Sequence, residues 1–246
     1  MKVVDFSFAT HADGFDDHIR QSIPGLDVLR DMTVDLSCHF VQPNTSVVDI
    51  GCSTGAVLRA IRDAHQASRA TASYVGVDIE RRFDSHWHEL AAPNLRFEVA
   101  DARTFGGLQN MSLAISLFTL QFVPEADRLA LLRRVHDGLI EGGALIIAEK
   151  ALAPTARAQN LFLGPHYDFK RRTFSEKEIL EKERALRGPM HVGYEGELIE
   201  VLCEAGFEVQ EINRFWQSYC FIGLIAEKRA IGRPRIVREC LSTAPS

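Results

Sequence analysis

The stretch VVDIGCSTGAVLRAI, at residues 47–61, satisfies two motifs that carry different chemistry. Gly51, Ser53 and Gly55 spell G-x-S-x-G, the turn that presents a nucleophilic serine in hydrolases. The same residues follow an apolar segment that ends at Asp49 and precede a helical pattern, which is typical of a nucleotide-cofactor loop. The two alternatives differ in what must come before and after the turn.

The hydrolase alternative demands several strands before the turn, and an acid and then a histidine after it. Only about 45 residues precede the turn here, and none of them forms a clear strand pattern. His136, His166 and His191 would supply the histidine, but no glycine-rich oxyanion segment accompanies them. The turn is therefore interpreted as a cofactor loop that follows the first strand of its sheet.

The cofactor alternative demands an acidic residue at the end of the next strand, where it accepts hydrogen bonds from ribose hydroxyls. Asp78, in YVGVDIE, stands 23 residues after Gly55 and meets this demand. The side chains of GCSTG would crowd a pyrophosphate, so a nucleoside without phosphates is predicted. Asp101, in EVADAR, ends the third strand and suits the amino group of an adenine.

Apolar segments alternate with helical patterns along the chain, which predicts an α/β fold with a mostly parallel sheet and helices on both faces. The segments predicted to be strands are residues 73–79, 95–101, 112–118 and 144–150. A helix is predicted between the last two, from Pro124 to a stop at Gly142 and Gly143. Its apolar face comprises Leu129, Leu132, Val135 and Leu139. After a final helix at about 195–205, FEVQEINRFW and YCFIGLIAEK are predicted to form an antiparallel edge pair.

Three divisions of the chain are predicted. Residues 1–45 form an N-terminal helical lid, with a break at Ile23–Gly25. Residues 46–228 form the cofactor-binding domain, in which a polar, helix-prone insertion at about 152–191 covers the site. Residues 229–246 form a basic, irregular tail.

Composition limits the partners and the cellular address. The formal net charge of −5 argues against a large nucleic-acid surface, and no segment approaches the roughly 18 apolar residues of a membrane span. Five widely spread cysteines without a C-x-x-C pair indicate reduced thiols and no zinc site. We therefore expect a cytoplasmic protein that acts on a small molecule and binds no metal.

Taken in order, VVDIGCSTG, VGVDIE, VADAR and GGALIIAEK resemble class I S-adenosylmethionine-dependent methyltransferases. More narrowly, SIPGLD, FTLQFVP, HYDFKR and FSEKEI resemble the carboxy-S-adenosylmethionine synthase family of tRNA wobble-uridine modification. This resemblance covers roughly residues 15–228. It implies a Rossmann-like sheet of seven strands, a homodimer, and S-adenosylmethionine bound by Gly51, Asp78, Asp101 and Ala102. The other residues predicted to bind the cofactor are Asp49, Cys52, Ser53, Gly55, Ile79, Leu117 and Arg20.

The sequence departs from that family where the resemblance implies recognition of the added carboxylate. A tyrosine after PG, an asparagine before FTLQF and an arginine after SEKEI are replaced by Leu26, Leu117 and Glu183, although Arg184 lies next to the last position. Leucines donate no hydrogen bonds and a glutamate repels an anion. A related reaction on the same cofactor is therefore predicted in place of carboxy-S-adenosylmethionine synthesis.

Two residues of the insertion are the predicted catalytic positions. Tyr167 replaces a histidine of the resembling family, and its ring could stabilise a sulfonium by cation–π attraction. His166 is a candidate general base, or a residue that orders the insertion together with Asp168, and Arg171 joins Arg20 as a candidate for the cofactor's carboxylate. The predicted reaction is methyl transfer to a small acceptor. The alternatives are ring closure of the cofactor to azetidine-2-carboxylate with release of methylthioadenosine, carboxy-S-adenosylmethionine synthesis, and cofactor binding without turnover.

Overall fold

The computed structural model describes residues 14–66, 71–90 and 92–230. The predicted lid therefore lies partly, and the predicted tail almost entirely, outside the described residues. The helices are α1 (Phe15–Arg20), α2 (Leu26–Ser37), α3 (Ala56–His65), α4 (Asp84–Trp87), α5 (Glu125–Gly138), α6 (Ala156–Lys170), α7 (Glu176–Leu186) and α8 (Glu195–Ala205). The strands are β1 (Ser46–Ile50), β2 (Ser73–Asp78), β3 (Leu95–Val99), β4 (Met111–Leu117), β5 (Leu139–Lys150), β6 (Ile212–Ser218) and β7 (Phe221–Glu227).

The seven strands form one sheet in the order β3-β2-β1-β4-β5-β7-β6. β1 to β5 run parallel, and β7 runs antiparallel to both of its neighbours. This confirms the predicted fold class, with one refinement: the antiparallel strand is the second from the edge. After β1 the chain continues to β2 on one side, and after β4 it continues to β5 on the other side. A crevice therefore opens at the carboxyl ends of β1 and β4, which is where such sheets bind ligands.

Both faces of the sheet are covered, as the apolar pattern of the strands requires. Val48 and Val75 face a cluster with Leu132 and Val135 of α5, while α8 contributes Leu202 to the same cluster. On the opposite face, Val47 and Tyr74 pack against Leu58 and Ile61 of α3. Consecutive residues of β1 thus serve opposite layers, which fixes its register.

Two predicted boundaries are wrong in detail. α5 ends at Gly138, and Leu139 opens a strand of twelve residues that continues through the glycine pair. Gly142 sits at φ 74°, a left-handed backbone that glycine readily adopts, and a Cβ at Gly143 would lie 3.1 Å from the carbonyl oxygens of Met111 and Ser112. Gly143 therefore marks the close approach of β5 to β4. The first part of FEVQEINRFW forms a short 3₁₀ turn at Val209–Glu211 before β6 begins.

The lid and insertion segments are helical and flank the carboxyl ends of the strands. α1 and α2 are joined by a short turn that includes Ser22 and Ile23, and α6 and α7 follow β5 directly. Among the described helices, none is both long and apolar enough to cross a bilayer.

Candidate functional site

The turn after β1 has the backbone of a tight cofactor loop. Gly51 and Gly55 lie at φ 75° and 80°, and Ser53 lies at φ 45°. A Cβ at position 51 would overlap the Thr119 hydroxyl oxygen, so only glycine fits there. Gly55 caps α3, and a Cβ there would press on the Phe97 ring. Gly55 therefore shapes the turn without lining the cavity.

Asp78 is fixed at the end of β2 by backbone amides. Its Oδ2 accepts a hydrogen bond from the Ser53 N–H at 2.9 Å, and its Oδ1 accepts one from the Glu80 N–H at 2.9 Å. Burial raises the pKa of Asp78 above its usual range, and these amides oppose that rise. The carboxylate is thus oriented across the cofactor loop, where the sequence predicted it.

Asp101, Ala102 and Ile79 line the same end of the cavity. Both oxygens of Asp101 accept hydrogen bonds from the Arg103 side chain, which lowers the pKa of Asp101. Arg103 also contacts Asp127 at 2.6 Å. Asp101 therefore remains a carboxylate across the physiological pH range, available as a hydrogen-bond acceptor.

Asp49 is the most deeply buried acid at this end of the cavity, with a relative exposure of 4%. Burial and the neighbouring Asp78 carboxylate raise its pKa to about 7, and Arg30 opposes that rise. Cys52, beside it, is also buried, and burial raises the pKa of its thiol, so it lines the cavity as a neutral group.

The lid is tied to the cofactor loop through Asp16. Its two carboxylate oxygens accept hydrogen bonds from Arg30 Nη2 at 2.6 Å and from Thr54 Oγ1 at 2.8 Å. Phe15 packs edge-on against Phe83 with ring centroids 5.1 Å apart. One carboxylate therefore joins α1, α2 and the loop after β1.

Arg20 and Arg171 are not placed to bind a cofactor carboxylate. Arg20 donates to Asp17 and Asp27 on the surface of the lid. Arg171 pairs with Asp168 and Glu176. Neither is among the residues that line the cavity. The arginine of the lid that does line it is Arg30, which the sequence reasoning missed.

Opposite the strand-end acids, three lysines from different elements line the cavity. This lysine group comprises Lys150 at the end of β5, Lys170 of α6 and Lys182 of α7. Lys182 Nζ lies 2.6 Å from His18 Nε2 and 3.1 Å from Ser22 Oγ. Burial, together with the other two lysines, lowers the pKa of Lys182 to about 8. The sequence reasoning missed this group, because its members are 20 and 12 residues apart with no motif spacing.

His166 is buried in the cavity wall with a relative exposure of 4%. Its Nε2 lies 3.0 Å from the Ser22 carbonyl oxygen, so this nitrogen carries the proton. Nδ1 is buried without a hydrogen-bond partner among the described residues. Burial lowers the pKa of the ring to about 4, which leaves Nδ1 as a bare acceptor.

Tyr167 is stacked on His166, but its side chain does not line the cavity. Burial and the nearby Glu183 carboxylate raise the pKa of Tyr167 to about 12. The contact between Tyr167 and a sulfonium therefore stays a prediction, with the tyrosine outside the cavity lining in this structure. Glu183, which also lies outside the cavity lining, stands near Lys170.

The strand-end acids and the lysine group share one cavity of about 320 Å³. Between them lie the apolar residues Leu26, Leu117 and Phe118, of which Phe118 holds a left-handed backbone at φ 61°. Glu149 accepts hydrogen bonds from the backbone amides of Leu120 and Gln121, both at 2.9 Å, and so fixes the loop after β4. Burial raises the pKa of Glu149 to about 8.

Comparison with known proteins identifies the class of cofactor that this fold binds. Residues 47–143 match a family model described as a methyltransferase domain. An O-methyltransferase family protein from Burkholderia thailandensis superposes with a TM-score of 0.62 over 90% of this chain and 60% of its own, at 14% identity. Human N-acetylserotonin methyltransferase, solved with S-adenosylmethionine, superposes with a TM-score of 0.52 over 81% of this chain and 49% of its own, at 16% identity. The fold is that of the S-adenosylmethionine-dependent methyltransferases.

Closer similarity runs through nearly the whole chain. Carboxy-S-adenosyl-L-methionine synthase from Methylococcus capsulatus is 33% identical over 234 residues, which are 91% of this chain and 94% of the relative. The enzyme of that name from Klebsiella pneumoniae is 35% identical over 221 residues, 88% of each chain. The chain therefore belongs to the carboxy-S-adenosyl-L-methionine synthase family. It is a transferase that uses S-adenosylmethionine.

The residues present fit this cofactor. Carboxylates at the ends of β2 and β3 can accept hydrogen bonds from ribose hydroxyls and an adenine amino group, and the exposed Ile79 offers an apolar surface beside them. Asp49 makes no hydrogen bond to a described residue and faces the cavity, so it can accept one from an ammonium. Which of these groups hold the cofactor stays a prediction.

Proposed function

We propose that the chain transfers the methyl group of S-adenosylmethionine to a small acceptor that enters the same cavity. Asp78 would hold the ribose, Asp101 and Ala102 the adenine, and Gly51 with the loop after β1 the sugar–sulfur side of the cofactor. When bound, the cofactor supplies an electrophilic methyl carbon on a positively charged sulfur. The chain's own task is to position the acceptor and exclude water.

The single observation that carries this proposal is the polar group at the far end of the cavity. Lys150 of the lysine group ends β5, which β1 and β4 separate from β2, where Asp78 ends the strand. Polar groups beyond the cofactor's own needs indicate that a second molecule is recognised there.

Ring closure of the cofactor is the second candidate. Leu26 and Leu117 make the wall between the two polar ends apolar, and the small volume favours a reaction without a separate acceptor. In that reaction the cofactor's own α-amine is the nucleophile, and methylthioadenosine is released. An ammonium near the positive lysine group is disfavoured relative to the neutral amine, which is the reactive form.

Carboxy-S-adenosylmethionine synthesis is a third candidate, favoured by the names of the relatives. The family's expected tyrosine, asparagine and arginine are absent here, but the lysine group is positively charged and faces the cavity. Lysines can bind a carboxylate as point charges. The reaction therefore has a charge partner for the added carboxylate, although not at the positions that the resemblance implies.

Mass spectrometry of the products separates the three candidates. The purified protein is incubated with methyl-labelled S-adenosylmethionine, alone and with a metabolite extract. Methyl transfer predicts S-adenosylhomocysteine and a labelled acceptor only with the extract. Methylthioadenosine from the cofactor alone would support ring closure, and a nucleoside heavier by one carboxyl group would support the third candidate. Asp78→Ala is the control variant and should lower the yield of whichever product forms when the cofactor is subsaturating.

A further inference from the structure

Three ammonium groups converge in the cavity without a matching set of acids. Lys150, Lys170 and Lys182 come from β5, α6 and α7. Through like-charge repulsion, Lys150 lowers the pKa of Lys170, and both of these lysines lower the pKa of Lys182. In the part of the chain that the structure describes, none of them lies within ion-pair distance of a carboxylate. The Glu183 carboxylate acts on Lys170 at longer range, where its charge favours the ammonium form. Such a group lowers its repulsion when one member gives up a proton.

The contacts of Lys182 single it out as that member. Its Nζ lies 2.6 Å from His18 Nε2, and two nitrogens at that distance share one hydrogen, because one of them must offer a lone pair. Its other partner, Ser22 Oγ, is a neutral hydroxyl at 3.1 Å. A lysine that is held by neutral or proton-sharing partners is free to cycle between its ammonium and amine forms.

We propose that Lys182 is the general base of the transfer, a role that rests on the proposed function. The acceptor's O–H or N–H gives its proton to the Lys182 lone pair as its heteroatom bonds to the methyl carbon. The carbon–sulfur bond breaks, and its electron pair stays on sulfur. For ring closure, the same amine would remove a proton from the α-ammonium. The freed nitrogen would then bond to the side-chain carbon attached to sulfur, the carbon–sulfur bond would break with its electron pair on sulfur, and methylthioadenosine would leave.

The ionisable groups that α1, α6 and β5 place around Lys182 favour its neutral amine form. Lys170 and Lys150 disfavour its ammonium form, and His18 of α1 shares its proton. His166 cannot itself serve, because its pKa is lowered to about 4 and it is too weak a base at neutral pH. Its bare Nδ1 would instead accept the hydrogen bond that orients the acceptor. Lysines with a lowered pKa are well suited to general-base catalysis near neutral pH.

The first test needs no acceptor. Lysine labelled with ¹³C at Cε is introduced, and NMR follows each lysine signal with pH in the protein saturated with S-adenosylhomocysteine. Lys182→Arg identifies the signal by removing it. We expect its midpoint near pH 8, and we expect Lys170→Met to raise that midpoint because a like charge is lost. A midpoint near the ordinary value of about 10.4 would overturn the assignment, whichever product the enzyme forms.

The second test uses turnover, once the product experiment has fixed the reaction. Lys182→Met should lower kcat by roughly 10²- to 10⁴-fold with little change in cofactor affinity, and added ethylamine should restore part of the rate. Lys177→Met, on the exposed face of α7, is the matched control and should keep its rate. A Lys182→Met enzyme with the wild-type rate and pH profile would overturn the base assignment but leave the proposed function standing.

Discussion

Tyr167 of α6 and Glu183 of α7 lie close enough for the carboxylate to raise the pKa of the tyrosine, so two of the residues that depart from the family pattern are neighbours. This arrangement keeps both side chains outside the cavity lining. It also explains why Glu183, which would repel an anion inside the cavity, is tolerated next to Lys170.

Tyr167 provides the first prediction. If its ring stays outside the cavity, Tyr167→Leu should change cofactor affinity by less than about twofold, because a sulfonium contact of roughly 1–2 kcal/mol is not there to lose. Calorimetric titration with S-adenosylmethionine measures this. A loss of affinity of tenfold or more would mean that the ring reaches the sulfonium in the bound state. Tyr167→Phe, which keeps the ring and loses the hydroxyl near Glu183, separates the two effects.

Asp78 is expected to dominate cofactor affinity. Hydrogen bonds to a charged acceptor contribute about 1.5–3 kcal/mol, so Asp78→Ala should weaken binding roughly 10- to 100-fold. Glu98→Ala is the control, because among the described residues this acid of β3 bonds to Arg96 alone. Calorimetry measures both variants, and thermal unfolding checks that each is folded. Equal affinity in Asp78→Ala and wild type would remove the basis for placing the nucleoside at this strand end.

Asp49 should make stability depend on pH. Its pKa is raised to about 7 in the folded chain from an ordinary value of about 3.8, so the folded state keeps a proton that the unfolded chain releases. The contribution of this proton to the free energy of unfolding is complete below about pH 4 and is lost as the pH rises towards 7. Asp49→Asn cannot ionise, so its free energy of unfolding relative to wild type should rise from pH 5 to 7 and then level off. Urea unfolding across this range measures it. A flat difference would contradict the prediction, and Asp35→Asn on the surface of α2 is the control.

Asp16 should govern closure of the lid. Removing its carboxylate breaks its hydrogen bonds to Arg30 and Thr54. If the closed lid loses about 1–2 kcal/mol of stability, cofactor binding should weaken by roughly 5- to 30-fold. Hydrogen exchange of α1 should accelerate in Asp16→Ala. The neighbouring Asp17 pairs only with the surface residue Arg20, so Asp17→Ala should behave as wild type. Unchanged exchange in Asp16→Ala would show that other contacts hold the lid.

Gly51 should resist any substitution. An alanine there would need a left-handed backbone and would overlap Thr119, and strained backbone alone costs about 1–3 kcal/mol. We expect Gly51→Ala to lower both the melting temperature and cofactor affinity. Gly164→Ala, inside α6 with nothing within 4 Å of the new Cβ, should be neutral or stabilising. A Gly51→Ala protein as stable as wild type would show that Thr119 moves freely.

The sheet and its acids follow from local patterns in the sequence. Alternating apolar segments predicted the strands, and the spacing from the glycine turn predicted Asp78, because both depend on neighbours along the chain. The end of α5 differs from the prediction because Gly142 and Gly143 look like a helix stop, whereas Gly142 supplies a left-handed backbone within β5 and Gly143 allows the approach of β5 to β4. Arg20 is predicted at the cavity from its residue type and Tyr167 from its match to a family histidine, but Arg20 pairs with Asp27 and Asp17, and neither side chain lines the cavity.

The lysine group could not be predicted in the same way. Its members look like ordinary surface lysines, and only the packing of α6 and α7 over the end of β5 brings them together. The one local signal is Lys150, a charged residue directly after the buried run of β5. Arg30 was missed for the same reason, because its neighbours across the lid are remote in sequence.

Ser22 connects the lid, which covers the cavity, with the two nitrogen side chains that face the cavity from α6 and α7. Its carbonyl oxygen holds His166 and its hydroxyl contacts Lys182, yet it belongs to the turn between α1 and α2. A displacement of that turn would therefore remove a hydrogen-bond partner from both basic side chains at once. Enclosure of the cavity and positioning of these two nitrogen groups are thus coupled through a single residue.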